Sequence, residues 1–341
     1  MFSADVRHRI VNNISGGQSF AVFRLPGDSE WRIAGQDGWS MKVNGFGQSY
    51  NTARTIEQIQ EGYKSRNLPA STDTEAYLKA VTEIRHSHSS DGGKTVLSRI
   101  IKAKFDKARF VDNAEAFFDL NPDAFCLLMQ IYPGKIRLMA SPELLLEVKG
   151  EKIRTMALAG TRTLSDNNIG WDEKNIKEQE IVSSYIIDEL KSMSLPIIET
   201  KTYTKKSNNV EHICTSIVSS LVNKYGQAVT YSQVLDAISP TPAVCGYPVK
   251  ESKERIAIYE THDRDFYSGY TEVAKSSAEV SIYVNLRCAE FDMTSGSFAV
   301  YVGSGITNQS CPEEELKETY LKAYPILRIM QTTMPEQYGW K

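Results

Sequence analysis

The chain has 341 residues, 41% hydrophobic and 24% charged, with a formal net charge of −3. That is the balance of an ordinary globular protein with enough chain to bury a substantial core. It leaves no broad basic field for nucleic acid or an anionic membrane, and Lys201, Lys205 and Lys206 are too short a cluster to create one.

Taken in chain order, Phe20–Leu25, Trp31–Ala34 and Met41–Val43 read as short strands. Thr72 and Glu75 have the spacing of a capping box, and Tyr77, Leu78, Val81 and Ile84 follow at helical intervals. After Asp91-Gly92-Gly93, the run Lys94 to Ile101 alternates as a strand does. A short helix is predicted near 113–120, with strands near 124–131 and 135–140. Leu144–Val148, the polar stretch Lys149-Gly150-Glu151-Lys152 and Ile153–Leu158 read as a hairpin. Ile181, Tyr185, Leu190 and Met193 make an apolar stripe on a long helix from Lys174 to Met193. Another helix is expected at 252–261, strands at 279–288 and 296–302, and a final helix from Pro312 to about Met330. Pro312 suits a first turn, and Glu313, Glu314 and Glu315 favour the positive helix start. Hairpins with irregularly inserted helices point to a mixed fold with antiparallel sheets, not a doubly wound α/β unit.

Cys126, Cys214, Cys245, Cys288 and Cys311 are an odd set with no close pair, as expected of free, mostly buried thiols in a reducing compartment. No signal-like segment opens the chain and no apolar run of about 18 residues occurs, so a cytoplasmic protein is expected.

Several familiar patterns fail. The phosphate-loop spacing would need glycine at His88, and a strand follows Lys94 where a helix is required. Gly303-Ser304-Gly305 lacks the third glycine of a dinucleotide fingerprint, because Asn308 stands there. His86 and His88 are two apart and face away from each other on a helix, which argues against a zinc pair.

Other residues fit chemistry. A lysine at the mouth of a buried strand loses water and tends to lose its proton, so Lys94 can act as a base; the alternative is an edge-strand lysine that deters aggregation. Glu143, in Ser141-Pro142-Glu143 before three leucines, can stay protonated and donate a proton, or can simply cap a strand. Glu315, Glu318 and Lys322 share one helix face, as do Lys174 and Glu178. Glutamates from two helices can hold Mg²⁺ with water and an anionic substrate, or can be solvated faces.

Ten motifs in order, from about 85 to 330, resemble the chorismate-utilising enzymes: isochorismate, salicylate, anthranilate and aminodeoxychorismate synthases. They are Lys94-Thr95-Val96-Leu97-Ser98-Arg99, Ser141-Pro142-Glu143-Leu144-Leu145, Ala157-Leu158-Ala159-Gly160-Thr161, Lys174 with Glu178, and His212-Ile213-Cys214-Thr215. Then come Pro240-Thr241-Pro242-Ala243-Val244, Arg264-Asp265-Phe266-Tyr267-Ser268-Gly269, Arg287-Cys288, Gly303-Ser304-Gly305-Ile306, and Pro312 with Glu315, Glu318 and Lys322. Residues 1–84 carry no usable motif. The ammonia-using members usually have Arg-Asn-Asp on the long helix, where this chain has Ile181–Asp188, and the water-using members carry a lysine like Lys94. The likeness therefore leans toward isochorismate synthase, with salicylate synthase next. Gln179 and Ser239 stand where histidine is common, and Val244 where leucine is commoner.

The resemblance implies one α+β domain over residues 1–341, with two packed, mostly antiparallel sheets and helices outside. It implies Lys94 as base and Glu143 as acid, with Mg²⁺ on Glu178 and Glu318. Arg287, Tyr267, Gly303 and Lys322 would hold the enolpyruvyl carboxylate of chorismate. Gly160 and Thr161 would line the ring, His212 would lie near the C4 hydroxyl, and Ala243 and Val244 would shape the water side. It also implies a monomer or weak dimer with no glutaminase partner.

Overall fold

The structure, a computed structural model, describes residues 1–62, 67–88, 92–164, 170–208 and 210–330; Asp91 lies outside them. Helix α1 (Ala4–Gly16) leads into strands β1 (Phe20–Arg24), β2 (Arg32–Ile33), β3 (Ser40–Asn44) and β4 (Arg54–Thr55). Helices α2 (Ile56–Gly62) and α3 (Thr74–Ser87) precede β5 (Lys94–Lys104), and α4 (Phe110–Asp119) follows it. Next come β6 (Phe125–Tyr132), β7 (Lys135–Ser141), β8 (Leu144–Lys149), β9 (Lys152–Thr163) and the long α5 (Glu173–Ser192). After them are β10 (Glu199–Ser207), β11 (Val210–Ser220), α6 (Tyr231–Ile238), β12 (Gly246–Tyr247) and α7 (Val249–Tyr259). The last are β13 (Tyr270–Ser276), β14 (Glu279–Val284), β15 (Cys288–Asp292), β16 (Ser297–Ile306) and α8 (Pro312–Met330).

The strands form two eight-stranded sheets, ordered β12-β5-β16-β15-β7-β6-β1-β2 and β10-β11-β9-β8-β14-β13-β3-β4. The pairing between neighbours is antiparallel, from β1 against β6 to β8 against β9. Alternate residues of each strand point to opposite faces, so two packed sheets with outer helices need apolar residues on both. Strand β6 shows this: Phe125, Leu127 and Met129 meet Met156, Leu158 and Tyr283 of the second sheet, while Cys126 and Leu128 face α1 and α4. The second sheet's outer face packs Ala157, Ile217 and Ile282 against Val182 and Ile186 of α5 and Leu235 of α6. Each of the Val, Leu, Ile, Phe and Met side chains fully buried there is worth about 1.5–3 kcal/mol. The α+β architecture is the one expected. Residues 1–84, silent as motif, supply β1 and β2 to one sheet and β3 and β4 to the other. Among the described residues no helix is long and apolar enough to cross a membrane.

The chain crosses between sheets at two short links that matter below. Ser141-Pro142-Glu143 connects β7 to β8, and Asn285-Leu286-Arg287 connects β14 to β15. The second corrects the continuous strand predicted at 279–288. Asn285 accepts a hydrogen bond from Thr271 and donates to the Phe266 carbonyl, and Arg287 takes a positive φ of 50°, which ends one strand and aims the next into the other sheet.

Other boundaries also moved. Asp73, not Thr72, caps α3 by accepting from the Ala76 amide, because Thr72 is taken by β5, where its hydroxyl accepts from the Ile100 amide. Helix α1 went unread although Ser3 caps it and Val6 and Ile10 are buried. So did α6, with a full capping box from Thr230 and Gln233, and strands β10, β11 and β13. Helix α7 starts earlier than 252, directly after Pro248. Of the cysteines, Cys126, Cys214 and Cys245 are buried as expected, but Cys311 is exposed.

Candidate active site

Strand β5 begins on a buried residue, Lys94, whose side chain is 1% exposed. An aggregation-deterring edge lysine would face water, so that alternative is excluded for Lys94. Its Nζ lies 2.8 Å from Glu178 Oε1 on α5. The two approach this closely because Gly305 on β16 has no side chain: a Cβ there would stand 2.2 Å from Glu178 Oε1 and 2.7 Å from Lys94 Cε. Helix α5 turns Glu178 and Gln179 inward along with Val182, Ile186 and Leu190, and Gln179 Nε2 donates to Thr215 Oγ1 at 2.6 Å.

A cleft of about 660 Å³, including its mouth, opens where the sheets part. Glu143, Glu178, Gly160, Thr161, His212, Ala243, Val244, Tyr267, Arg287, Gly303 and Lys322 all line it. Lys94 and Glu318 do not line it; they join it through their ion-pair partners Glu178 and Lys322. The thirteen residues singled out in the sequence therefore converge on one place.

Glu143 is 2% exposed and its Oε1 has no hydrogen-bond partner. Burial pushes its carboxyl up to about 8, against the opposing pull of Lys94, Lys205 and Lys322. A carboxylic acid so placed keeps its proton at neutral pH.

His212 sits on β11 with its Nδ1 2.9 Å from the Gly160 carbonyl. That carbonyl can only accept, so Nδ1 carries the proton and Nε2 accepts from Arg287 Nη2 at 3.2 Å. Burial, then the positive charges of Arg287 and Lys322, drive its pKa down to about 3, so the imidazole stays neutral. Gly160 adopts φ +72°, and a side chain there would meet the Asn175 carbonyl at 3.1 Å.

Arg287 has no carboxylate within ion-pair distance among the described residues. Burial lowers its pKa to about 10, which leaves it charged at pH 7. A cation facing a cleft with no acidic partner is a ready place for an anion. Lys322 Nζ donates to the Gly303 carbonyl at 2.9 Å and to Glu318 Oε1 at 2.7 Å. Tyr267 stacks on Tyr301 with centroids 5.8 Å apart. Arg264 braces two walls, donating to the carbonyls of Val244 at 2.8 Å and Val96 at 2.7 Å.

On α8 Lys322 pairs with Glu318 at i, i+4, but on α5 Lys174 does not pair with Glu178. Lys174 reaches across to Glu315 on α8, not to Glu178. Three glutamates and three lysines thus interlock: Lys94 with Glu178, Lys174 with Glu315, Lys322 with Glu318. Burial raises Glu315, partly offset by Lys174; for Glu318 burial is outweighed by Lys322 and Lys174, and its carboxyl is held below the ordinary range. Glu315 Oε2 is buried with no partner. Oxygen donors of this kind and an orphaned carboxylate oxygen suit a hard divalent cation. Among the described residues no three His, Cys, Asp or Glu side chains form a ready cage.

Residues 38–331 match the family described as chorismate binding enzyme. The chain belongs to that family. It is 29% identical over 208 residues to isochorismate synthase DhbC of Bacillus subtilis (strain 168), covering 58% of this chain and 51% of that one. It is 28% identical over 249 residues to isochorismate synthase EntC of Escherichia coli (strain K12), covering 69% and 62%. The chain thus spans about half to three fifths of the length of these relatives. Its fold matches that of MenF, the menaquinone-specific isochorismate synthase from Escherichia coli, with TM-score 0.74 and 19% identity over 92% of this chain and 89% of that chain.

The cleft of this chorismate-binding enzyme also uses residues outside those thirteen. Gly303-Ser304-Gly305 is expected from the sequence to let backbone approach a ligand closely; at Gly305 the missing Cβ instead makes room for the Lys94–Glu178 pair. A second glycine two places after Gly303 on a strand puts both on one face, a signal that was available. Leu286 and Tyr301 also line the cleft, and Glu315 and Lys174 complete the charge array. Nothing in the linear sequence pairs those last two.

Proposed function

We propose that the protein is a Mg²⁺-dependent isochorismate synthase acting on chorismate in a reducing compartment such as the cytoplasm. The single observation that carries this reading is that one cleft is lined both by a buried uncharged acid, Glu143, and by a half-buried cation, Arg287, with no carboxylate within ion-pair distance among the described residues. Chorismate carries two carboxylates and a C4 hydroxyl that must leave, and the cleft offers both a place for an anion and a proton for a leaving group.

Arg287, with Lys322, the Gly303 backbone and Tyr267, would hold the enolpyruvyl carboxylate. Gly160 and Thr161 would flank the ring. Lys94 in its neutral form would take a proton from water held near Ala243 and Val244, and the water oxygen would bond to C2. The ring double bonds shift, the C4–O bond breaks, and Glu143 gives its proton to the departing hydroxyl, which leaves as water. Neutral His212 lies on the wall toward the C4 hydroxyl. Glu178 and Glu318 would hold Mg²⁺, with Glu315 close behind. Bound there, the ion would offset the charge of the ring carboxylate. Water is the nucleophile in this scheme, so no glutaminase partner is expected.

The test is incubation of the purified protein with chorismate and Mg²⁺, with products separated by chromatography over time. Isochorismate as the sole product is the expected result. Salicylate with pyruvate would replace the reading with a salicylate synthase, and an amino product formed only with ammonia would overturn it.

A further inference from the structure

Three lysines act electrostatically on Glu143 from three elements: Lys94 on β5, Lys205 on β10 and Lys322 on α8. Lys94 and Lys322 are paired with glutamates. Among the described residues Lys205 has no carboxylate within ion-pair distance. Its Nζ instead donates to the Pro142 carbonyl at 2.7 Å and lies 3.9 Å from Met156 Sδ. Strand β10 is an outer strand of its sheet and most of it is exposed, yet Lys205 is half-buried. The register explains why. Lys205 lies opposite His212 in the antiparallel pair, and opposed residues project on the same face, so its stem runs inward beside the cleft wall.

Pro142 is the partition. It lines the cleft on one side and, on the other, a groove whose walls include Lys205, Tyr203 and Arg154. We infer that Lys205 is a positioning residue for Glu143, gripping the Pro142 peptide from the groove side so that the next side chain is held toward substrate, with a positive charge behind it. The inference rests on the isochorismate synthase reading for its kinetic consequence only. Burial lowers the pKa of Lys205 itself, while Cys214, Glu143 and Asp123 oppose that and Arg154 adds to it. Lys205 in turn favours the ionised form of Glu143, so removing its charge moves Glu143 upward.

Lys205→Met keeps the stem and removes the donor and the charge; Lys205→Arg keeps both. With chorismate and Mg²⁺, Lys205→Met should lose about tenfold in kcat with KM changed by less than about twofold, since misplacing an acid affects the transition state more than binding. The alkaline limb of its pH profile should move to higher pH. Glu143 titration should be followed by ¹³C NMR of glutamate-labelled protein, with the resonance assigned by its loss in Glu143→Gln. It should move upward in Lys205→Met and return in Lys205→Arg. A Lys205→Met variant with wild-type kcat and an unmoved Glu143 titration would overturn the inference, as would a loss of thermal stability alone. The NMR arm needs no substrate. If the wild type fails to turn over chorismate, the functional reading falls while the link between Lys205 and Glu143 is still decided.

Discussion

Glu143 and Glu318 are glutamates beside lysines in one array, and they are held in opposite states. Glu143 lies in the link between sheets, 2% exposed; Glu318 lies on α8, its side chain 18% exposed. Burial raises the first to about 8, while the second is kept below the ordinary carboxyl range by Lys322 and Lys174 in spite of its burial. Lysines face both, so the number of neighbouring charges does not explain the difference. Contact does. Lys322 donates directly to Glu318 at 2.7 Å, whereas no donor reaches Glu143 Oε1. At Glu318 the charges of Lys322 and Lys174, together with the Lys322 hydrogen bond, outweigh desolvation; at Glu143 the charges of Lys94, Lys205 and Lys322, none bonded to Oε1, do not. One glutamate thereby keeps its proton and the other its charge.

Substitution at the donor end should have the largest effect. Glu143→Gln keeps shape and loses no hydrogen bond at Oε1, so the fold should hold while turnover falls by about 10²–10⁴-fold. Lys94→Gln should cost on the order of 10²-fold with chorismate binding little changed. Stopped-time product assays with circular dichroism check both. Near wild-type turnover in Glu143→Gln would erase the contrast between the two glutamates.

At the other end, Glu318→Gln should raise the Mg²⁺ concentration for half-maximal activity by about tenfold or more. Calorimetric Mg²⁺ titrations in the presence of chorismate should show Glu143→Gln binding the ion like the wild type. Equal weakening by both substitutions would mean that the two ends form one site.

Gly305→Ala sharpens the geometry between them. Its Cβ would overlap Glu178 Oε1, and overpacking of this kind costs about 1–3 kcal/mol, enough for roughly a tenfold loss of kcat while the sheet remains paired. An active, wild-type-like Gly305→Ala would show that the Lys94–Glu178 pair is not needed.

The smallest effect is on stability. The folded-state pKa of Glu143 lies above its ordinary 4.5, so the folded protein binds the extra proton between about pH 4.5 and 8. Its contribution is complete below about 4.5 and is lost as pH rises through about 8. Denaturant unfolding across that window should show the wild type losing stability relative to Glu143→Gln as pH rises. A parallel pair of curves would mean that Glu143 is ionised throughout.

Much of this was legible from linear order. Phe125–Ile131 reads as a strand because both faces are covered and only Gln130 interrupts the apolar run, and Lys94–Ile101 reads as one from its alternation after two glycines. Strand β10 did not, because an outer strand exposed on both faces has no apolar side to alternate with. Its Lys205 was visible only as part of a short basic cluster. The strand predicted through 279–288 failed for another reason: periodicity reports the face of a residue, not the sheet it belongs to, and Leu286 and Arg287 lie where the chain changes sheets.

By itself the sequence determined the kinds of group at the cleft and the family to which the chain belongs, because both reside in residue identity and order. The tertiary structure decided which glutamate is an acid and which is a charge. It decided that Lys94 pairs with Glu178 and Lys174 with Glu315, and that Lys205 stands behind Pro142. Those outcomes depend on desolvation and on distances of a few ångströms across elements far apart in the chain, and neither is written in local pattern.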